Sequence, residues 1–321
     1  MSPSSQESSV TVEPDLPTTM RAVARRVYGG PEVVAIEQVP RPDPGPGEVL
    51  VKVAAAGLDR ATLHLLTGLP YAARAAFGLR RPRQPVLGQQ VAGQVVAVGE
   101  GVSGYAAGDR VFGTAAGSLA EFAVAEVATV ATIPESVSDV EASTIGVSGL
   151  TALGAVVTQG RVQKGERVLV LGGSGAVGSF AVQLAARHGA EVTAACSGAK
   201  TEFVAGLGAH RTVDYRTTSL AQMGDPFDLI IDIGGNRSVG RLRSALRPEG
   251  RLVIVGGEGG GPMLGGIQRT PSPTASPDVS WAGSSPAPLR RGAPNSPRRF
   301  RRAPSCRPSI ASSHWPRRVV P

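Results

Sequence analysis

Apolar positions change rhythm twice along this chain. From Met20 to about Val130 they come in short alternating runs. Arg21–Tyr28 and Val33–Val39 predict strands, and Val49, Val51 and Val53 alternate as on a half-buried strand. Val91–Val98, Gly108-Asp109-Arg110-Val111 and Leu119–Ala125 continue the series, and turn runs such as Pro40–Gly47 (PRPDPGPG) separate them. Many short strands with Gly/Pro punctuation predict a small, partly open barrel. After Ser148 the strands become continuously apolar and alternate with helices. The pattern predicts strand Arg167–Leu171, helix Ala176–His188, strand Glu191–Cys196, a helix near Thr201–Leu207, strands Arg211–Tyr215 and Asp228–Ile233, helix Val239–Leu246 and strand Arg251–Val255. That alternation is the signature of a parallel, doubly wound α/β sheet.

Around Gln268 the periodicity stops. Residues 269–321 hold eleven prolines, ten arginines and ten serines. Such a segment buries too little apolar surface to offset chain entropy, so a disordered tail is expected over 268–321. The Ser/Thr/Pro/Glu-rich start, 1–19, reads as a disordered leader.

Charge and cysteine content narrow the function classes. A net charge of +8 and a pI near 10.3 would ordinarily point to nucleic acid. Ten arginines against the single acid Asp278 lie in the tail, however, and the rest of the chain is close to neutral, so no nucleic-acid partner is expected. There is no apolar run of membrane-spanning length and no basic-plus-apolar secretory start. Cys196 and Cys306 are too few for a disulfide framework or a four-cysteine zinc site, which fits a reducing cytoplasm.

The chemistry-bearing motif is Gly173-Ser174-Gly175-Ala176-Val177-Gly178, a G-x-G-x-x-G that follows a predicted strand and opens a predicted helix. Gly173 is expected to make the tight turn, Gly175 to admit a pyrophosphate and Gly178 to let helix pack on strand. The amides of Ala176 and Val177 at the helix start then face the phosphates. The next strand ends in Cys196-Ser197-Gly198-Ala199-Lys200, with no acid to hold a ribose 2′-hydroxyl or repel a 2′-phosphate. Ser197 can donate a hydrogen bond there and Lys200 a charge, which favours NADPH over NADH. The competing reading of Lys200 is the start of an exposed helix.

Several ordered motifs then carry a resemblance. Ala55-Ala56-Gly57-Leu58-Asp59, Pro85-Val86-Leu87-Gly88, Ala92-Gly93, Gly108–Val111, Ser148-Gly149-Leu150-Thr151-Ala152 and the glycine loop together resemble the medium-chain dehydrogenase/reductase superfamily, in its zinc-free quinone reductase branch. The similarity runs from about Met20 to Gly266. It implies a GroES-like β-rich catalytic domain at 20–145, an incomplete Rossmann NADPH-binding domain at 146–267 and a cleft between them. Zinc members of the superfamily carry Gly-His-Glu where this chain has Gly88-Gln89-Gln90, and no cysteine precedes residue 196, so no metal is expected. Without a Lewis acid, hydride transfer to a quinone or an activated enone is the expected reaction. A zinc-free alcohol or aldehyde oxidoreductase acting on a carbonyl, or an inactive NADPH-binding protein, are the alternatives.

The resemblance also implies site residues. The branch often has Asn at the position of Asp59 and Tyr at that of His64, and both differ here. His64 reads as a proton or hydrogen-bond donor, or as a surface or packing histidine. Asp59 orients ribose or substrate, or caps a helix beginning near Ala61. Tyr71 is a pocket wall or a core aromatic. Ser148 and Thr151 match the stretch lining the nicotinamide, Tyr215 a position near the adenosine, and Gly256-Gly257 the strand end beneath the nicotinamide. Asn236 follows a strand end where the cofactor passes, or only forms a turn. The family's sixth Rossmann strand is expected to be absent, because PSPTASPDVSWAGSS stands in its place. This reads as a shifted reading frame or a natural extension. Since that strand commonly builds the family's dimer interface, a family-like homodimer is not expected.

Overall fold

A computed structural model of the chain describes residues 11–12, 16–224, 226–256, 261–264 and 279–281. The first part is an antiparallel sheet of strands β1 (Thr11–Val12), β4 (Glu48–Ala55), β5 (Gln90–Val98), β6 (Arg110–Thr114), β7 (Phe122–Glu126) and β8 (Val130–Thr132). It is ordered β7-β4-β5-β6-β8, with β1 pairing β5, beside a two-stranded ribbon of β2 (Thr19–Ala24) and β3 (Ala35–Pro40). Val49, Val51, Val91, Val95 and Val111 point to one side and are fully buried, as period-two side chains must be when one face makes the core. Helices α1 (Arg60–Thr67), α2 (Arg74–Phe77) and α3 (Asp139–Ala142) belong to this part.

The second part is a six-stranded parallel sheet of β9 (Arg167–Leu171), β10 (Glu191–Cys196), β11 (Arg211–Asp214), β12 (Phe227–Asp232), β13 (Leu246–Ile254) and β14 (Val279–Trp281). Its order is β11-β10-β9-β12-β13-β14. Counted within the domain this is 3-2-1-4-5-6, the Rossmann order, with its switch point between β9 and β12. Both faces are covered. Val168 and Val170 of β9 join one apolar cluster while Leu169 and Leu171 join the other, which explains why this strand reads as continuously apolar. Helices α4 (Ser148–Leu153), α5 (Ala176–Arg187), α6 (Thr201–Gly206), α7 (Val239–Arg243) and the short α8 (Gly261–Leu264) complete the elements. The helical run of α4 continues as a π-helical turn over Gly154–Gln159.

Three expectations need correction. The sheet does not stop at its fifth strand: Val279, Ser280 and Trp281 pair in parallel register with Leu252, Val253 and Ile254. The edge of β13 thus takes an extended segment from the Pro/Arg-rich region. The rest of the expected tail lies outside the described residues, as does Gly257. The leader likewise contributes pairing, since Thr11 and Val12 lie opposite Val98 and Ala97, and β2 begins at Thr19. The helix expected over Val239–Leu246 ends at Arg243, and β13 begins at Leu246. Pro248 has no N–H to continue a helix and disfavours helical geometry just before it.

A chain ended at residue 284 should keep β14, and one ended at 268 should lose it and uncover β13. The second should be less stable by roughly 1–3 kcal/mol, the net worth of two or three backbone hydrogen bonds, in urea denaturation. Equal midpoints would show that the pairing contributes nothing.

Candidate active site

The glycine loop joins β9 to α5 at the switch point. The left-handed residue is Gly172, with φ +91°, and not Gly173. The turn therefore sits one residue earlier than the motif suggests, and Gly173 instead packs where a Cβ would lie 3.0 Å from Ala194 Cβ on β10. Gly172 and Gly173 both donate to Ala195 O, at 3.1 and 3.0 Å, which ties the loop to the neighbouring strand. A Cβ on Gly178 would collide with Gly172 O and lie 2.9 Å from Gly173 Cα, so only glycine lets α5 approach this closely. Gly175 is the N-cap of α5, offers no side-chain cap, and is exposed together with Ala176, while Ser174 is half-buried. The first-turn amides of Ala176 and Val177 stand beside exposed Gly175 at the positive end of a twelve-residue helix, a cradle suited to a pyrophosphate.

Around this cradle the strand ends supply the other expected residues. Ser197 is the N-cap of a 3-10 turn Gly198–Lys200, and Lys200 is exposed. The expectation that no acid stands here is corrected in three dimensions. Asp214 pairs in register with Cys196, and its Oδ2 accepts Gly198 N–H at 2.9 Å while its Oδ1 accepts Arg216 N–H at 2.9 Å. Tyr215 follows, half exposed, with the Arg216 guanidinium 5.7 Å from its ring centroid. At the end of β12 the buried Asp232 accepts Gly235 N–H at 3.0 Å and shapes the loop that leaves Asn236 exposed. Gly256 closes against the same loop, where a Cβ would lie 3.3 Å from Ile233 O.

The catalytic-domain side is built on α1. Asp59 caps it: Oδ1 accepts Thr62 N–H at 2.8 Å and Thr62 Oγ1–H at 3.0 Å. Its other oxygen accepts Gln90 Nε2 at 3.3 Å, and Gln90 Oε1 accepts Val147 N–H at 2.9 Å. Gln90, 2% exposed, therefore joins the cap of α1 to the start of α4. On α4, Ser148 is buried, and Thr151 donates its hydroxyl to Val147 O at 2.7 Å. His64 Nδ1 lies 2.7 Å from Leu69 O. A carbonyl only accepts, so Nδ1 carries hydrogen, and the neutral ring leaves Nε2 with its lone pair. Tyr71 is 44% exposed. Its ring lies 4.6 Å from the Arg74 guanidinium carbon, which stands 4.4 Å from the Tyr28 ring. Among the described residues no hydrogen bond joins Asp59, His64 and Tyr71 to one another. Arg25, 3% exposed, donates to Leu65 O, Gln84 O and Pro85 O, holding α1 against the Pro85–Gly88 segment.

Sequence reading missed Gln90 as a bridge and Asp214, Asp232 and Arg25 altogether. An acid closing an apolar strand was a usable signal for Asp232. Nothing local signals Asp214 beside Gly198, because strand pairing creates that contact.

A GroES-like sheet joined to a Rossmann sheet with an open glycine cradle at its switch point defines a two-domain, nicotinamide-dependent oxidoreductase. The alcohol dehydrogenase GroES-like domain family matches residues 45–135, and the zinc-binding dehydrogenase family matches 176–284, a span that includes β14. The chain is 32% identical over 277 residues to a quinone oxidoreductase of Rattus norvegicus, covering 83% of this chain and 80% of that one. Among solved structures it resembles the quinone oxidoreductase from Coxiella burnetii (TM-score 0.67, 28% identity, 74% and 75% of the two chains). It also resembles the CurK enoyl reductase (TM-score 0.69, 28% identity, 82% and 80%). This chain belongs to the quinone oxidoreductase-like branch of the medium-chain dehydrogenase/reductase superfamily. No helix among the described residues is long and apolar enough to cross a membrane.

Gly178→Ala should destabilise the protein by roughly 1–3 kcal/mol, as overpacking does, and weaken nicotinamide-cofactor binding in fluorescence titration. Unchanged binding would detach the Gly172–Gly178 contact from the cradle. Burial pushes the Cys196 thiol up, with the Asp214 charge adding and Lys200 opposing. A raised thiol pKa means less thiolate at any given pH, so peptide mapping after iodoacetamide at pH 8 should find Cys196 alkylated only in denaturant.

Proposed function

We propose that this enzyme uses NADPH, needs no zinc, and delivers a hydride to a quinone or an activated enone in the cytoplasm. The observation that carries the reading is Gln90. It stands in the segment where zinc relatives carry Gly-His-Glu, and both its polar atoms are bonded to protein, to Asp59 and Val147. Among the described residues no group of three or more His, Cys, Asp or Glu is placed to hold a metal ion. The donor set therefore does not fit a tetrahedral zinc. With no cation to polarise a simple carbonyl, a conjugated acceptor, which spreads the incoming charge itself, suits the site best. A quinone oxidoreductase and an enoyl reductase among its relatives agree with that class.

A bound nicotinamide supplies the hydride. The chain's part is orientation: Ser148 and Thr151 on α4, and Asn236 and Gly256 at the strand ends, line its expected place, and Gln90 fixes where α4 begins. A proton for the reduced acceptor comes from solvent or from His64 Nε2 when the ring is an imidazolium. For the 2′-phosphate, Lys200 and Arg216 supply two cations against Asp214, whose oxygens already accept two backbone N–H groups. The net charge of that loop end favours a dianion over a hydroxyl.

Substrate-dependent NADPH oxidation should appear with a para-benzoquinone or an α,β-unsaturated ketone and persist in EDTA. Turnover of saturated aldehydes alone would favour the alcohol/aldehyde reading instead. Lys200→Ala should weaken NADPH roughly five- to tenfold, a solvent-screened value for one phosphate contact, and leave NADH nearly unchanged. Equal losses for both would remove Lys200 from the 2′-phosphate.

A further inference from the structure

We infer that Arg74 is a positioning residue of the acceptor site, holding Tyr71 as a flat wall on which the ring of a quinone stacks. This deepens the reading above, of a reductase of conjugated acceptors, and rests on it. The Arg74 guanidinium carbon lies 4.4 Å from the Tyr28 ring centroid and 4.6 Å from that of Tyr71, so one cation engages two aromatic rings. Its planar head is also held edgewise. Nε donates to Gly68 O at 2.9 Å, and a terminal nitrogen donates to Thr67 O at 3.4 Å. Tyr28 is fixed in turn, because its hydroxyl donates to Gly78 O at 2.7 Å. Among the described residues no carboxylate pairs with Arg74, and its charge is answered by rings and carbonyls alone.

The sequence builds this clamp at the end of α1. Gly68 closes the helix in the left-handed conformation, with φ +62°. A Cβ there would lie 2.6 Å from the Tyr28 ring and 2.7 Å from Arg74 Nε, so only glycine leaves room for the stack. The carbonyls of Thr67, Gly68 and Leu69 make the negative end of α1, where cations and N–H donors are favoured. Arg74 takes the first two and His64 Nδ1 the third. One helix end thereby fixes His64 directly and Tyr71 through Arg74. Tyr71 is 44% exposed, so the ring that Arg74 engages on one side stays open elsewhere. Helix α8, which carries the exposed Met263 and follows Gly256 closely in the chain, lies against the Tyr71–Ala73 turn. The turn thus stands where the two domains meet. A half-exposed ring held this firmly offers stacking area at little entropic cost, which suits a planar acceptor better than an acyclic one.

Titration calorimetry of duroquinone into the full-length protein saturated with NADP+ reads acceptor binding with no hydride available for turnover. Arg74→Ala, checked for folding by circular dichroism, should weaken duroquinone roughly five- to tenfold, the scale of one ring stack. In turnover with NADPH the loss should appear in the KM for duroquinone rather than in kcat. The KM values for NADPH and for the acyclic 3-buten-2-one should change by less than about twofold. Tyr71→Ala should lose as much duroquinone affinity, and the double variant no more than either, because Arg74 acts through that ring. Arg74→Lys, which keeps the charge but not the planar fork, should recover part of the loss. It also serves in the same cycle if the alanine variant does not fold. No saturable duroquinone binding by the wild type, unchanged affinity in Arg74→Ala, or additive losses in the double variant would each overturn the proposal. So would equal losses for duroquinone, 3-buten-2-one and NADPH, which mark a merely structural role. Duroquinone binding without NADPH turnover in the wild type would instead end the reductase reading, and the affinity cycle would still decide the role of Arg74.

Discussion

The closest approach in the nucleotide-binding half, α5 against the loop that leaves β9, constrains everything around it. Gly178 has no Cβ, so the first turn of the helix rests directly on Gly172 and Gly173. Any side chain there would tilt or lift the helix, and the helix start is what points amide hydrogens into the crevice. The left-handed Gly172 turn and its bonds to Ala195 are the other half of the same constraint, because they fix where the loop departs from the sheet. Position within the sheet does the rest. At the switch point, β10 continues to one side and β12 to the other, so no crossover covers the crevice.

A second constraint holds the catalytic-domain side in register with this cradle. Gln90 is buried, and a buried amide is tolerated only when its donor and acceptor both find partners. Here they are Asp59, which caps α1, and the backbone of Val147, which begins α4. One side chain therefore sets the relative placement of His64's helix and of Ser148 and Thr151. Arg25 adds a clamp from below: burial disfavours its charge, and it is held by three backbone carbonyls rather than by a carboxylate. Both arrangements anchor a site wall to backbone atoms, which move less than side chains.

How much of this was legible in the sequence depends on whether each signal is local. Strands Arg167–Leu171 and Glu191–Cys196 have the bounds their apolar runs suggest, because two-sided burial writes itself into every position. The helix starting at Ala176 was legible for the same reason, with glycines before it and an apolar stripe within it. The cap role of Asp59 was readable as one of two alternatives, since capping needs only three residues of context. Asp214 was not readable as a neighbour of Gly198, because sixteen residues and a strand pairing separate them. The single-residue shift of the tight turn from Gly173 to Gly172 was equally hidden, as three of the four residues at 172–175 are glycine and the motif alone does not say which one turns.

The sixth strand shows where composition misleads. Proline, arginine and serine argue against a core segment, and that inference concerns side-chain burial. Edge pairing asks for something else: a short extended stretch with free N–H and C=O groups, opposite a strand whose outer edge is otherwise unpaired. Val279-Ser280-Trp281 has a β-branched residue, an aromatic and no proline, which is enough for three residues of ladder. Backbone pairing is nearly blind to sequence, so a region unsuited to forming a core can still complete a sheet. The family match, which runs to residue 284, takes in this strand, beyond the point where the apolar rhythm stops.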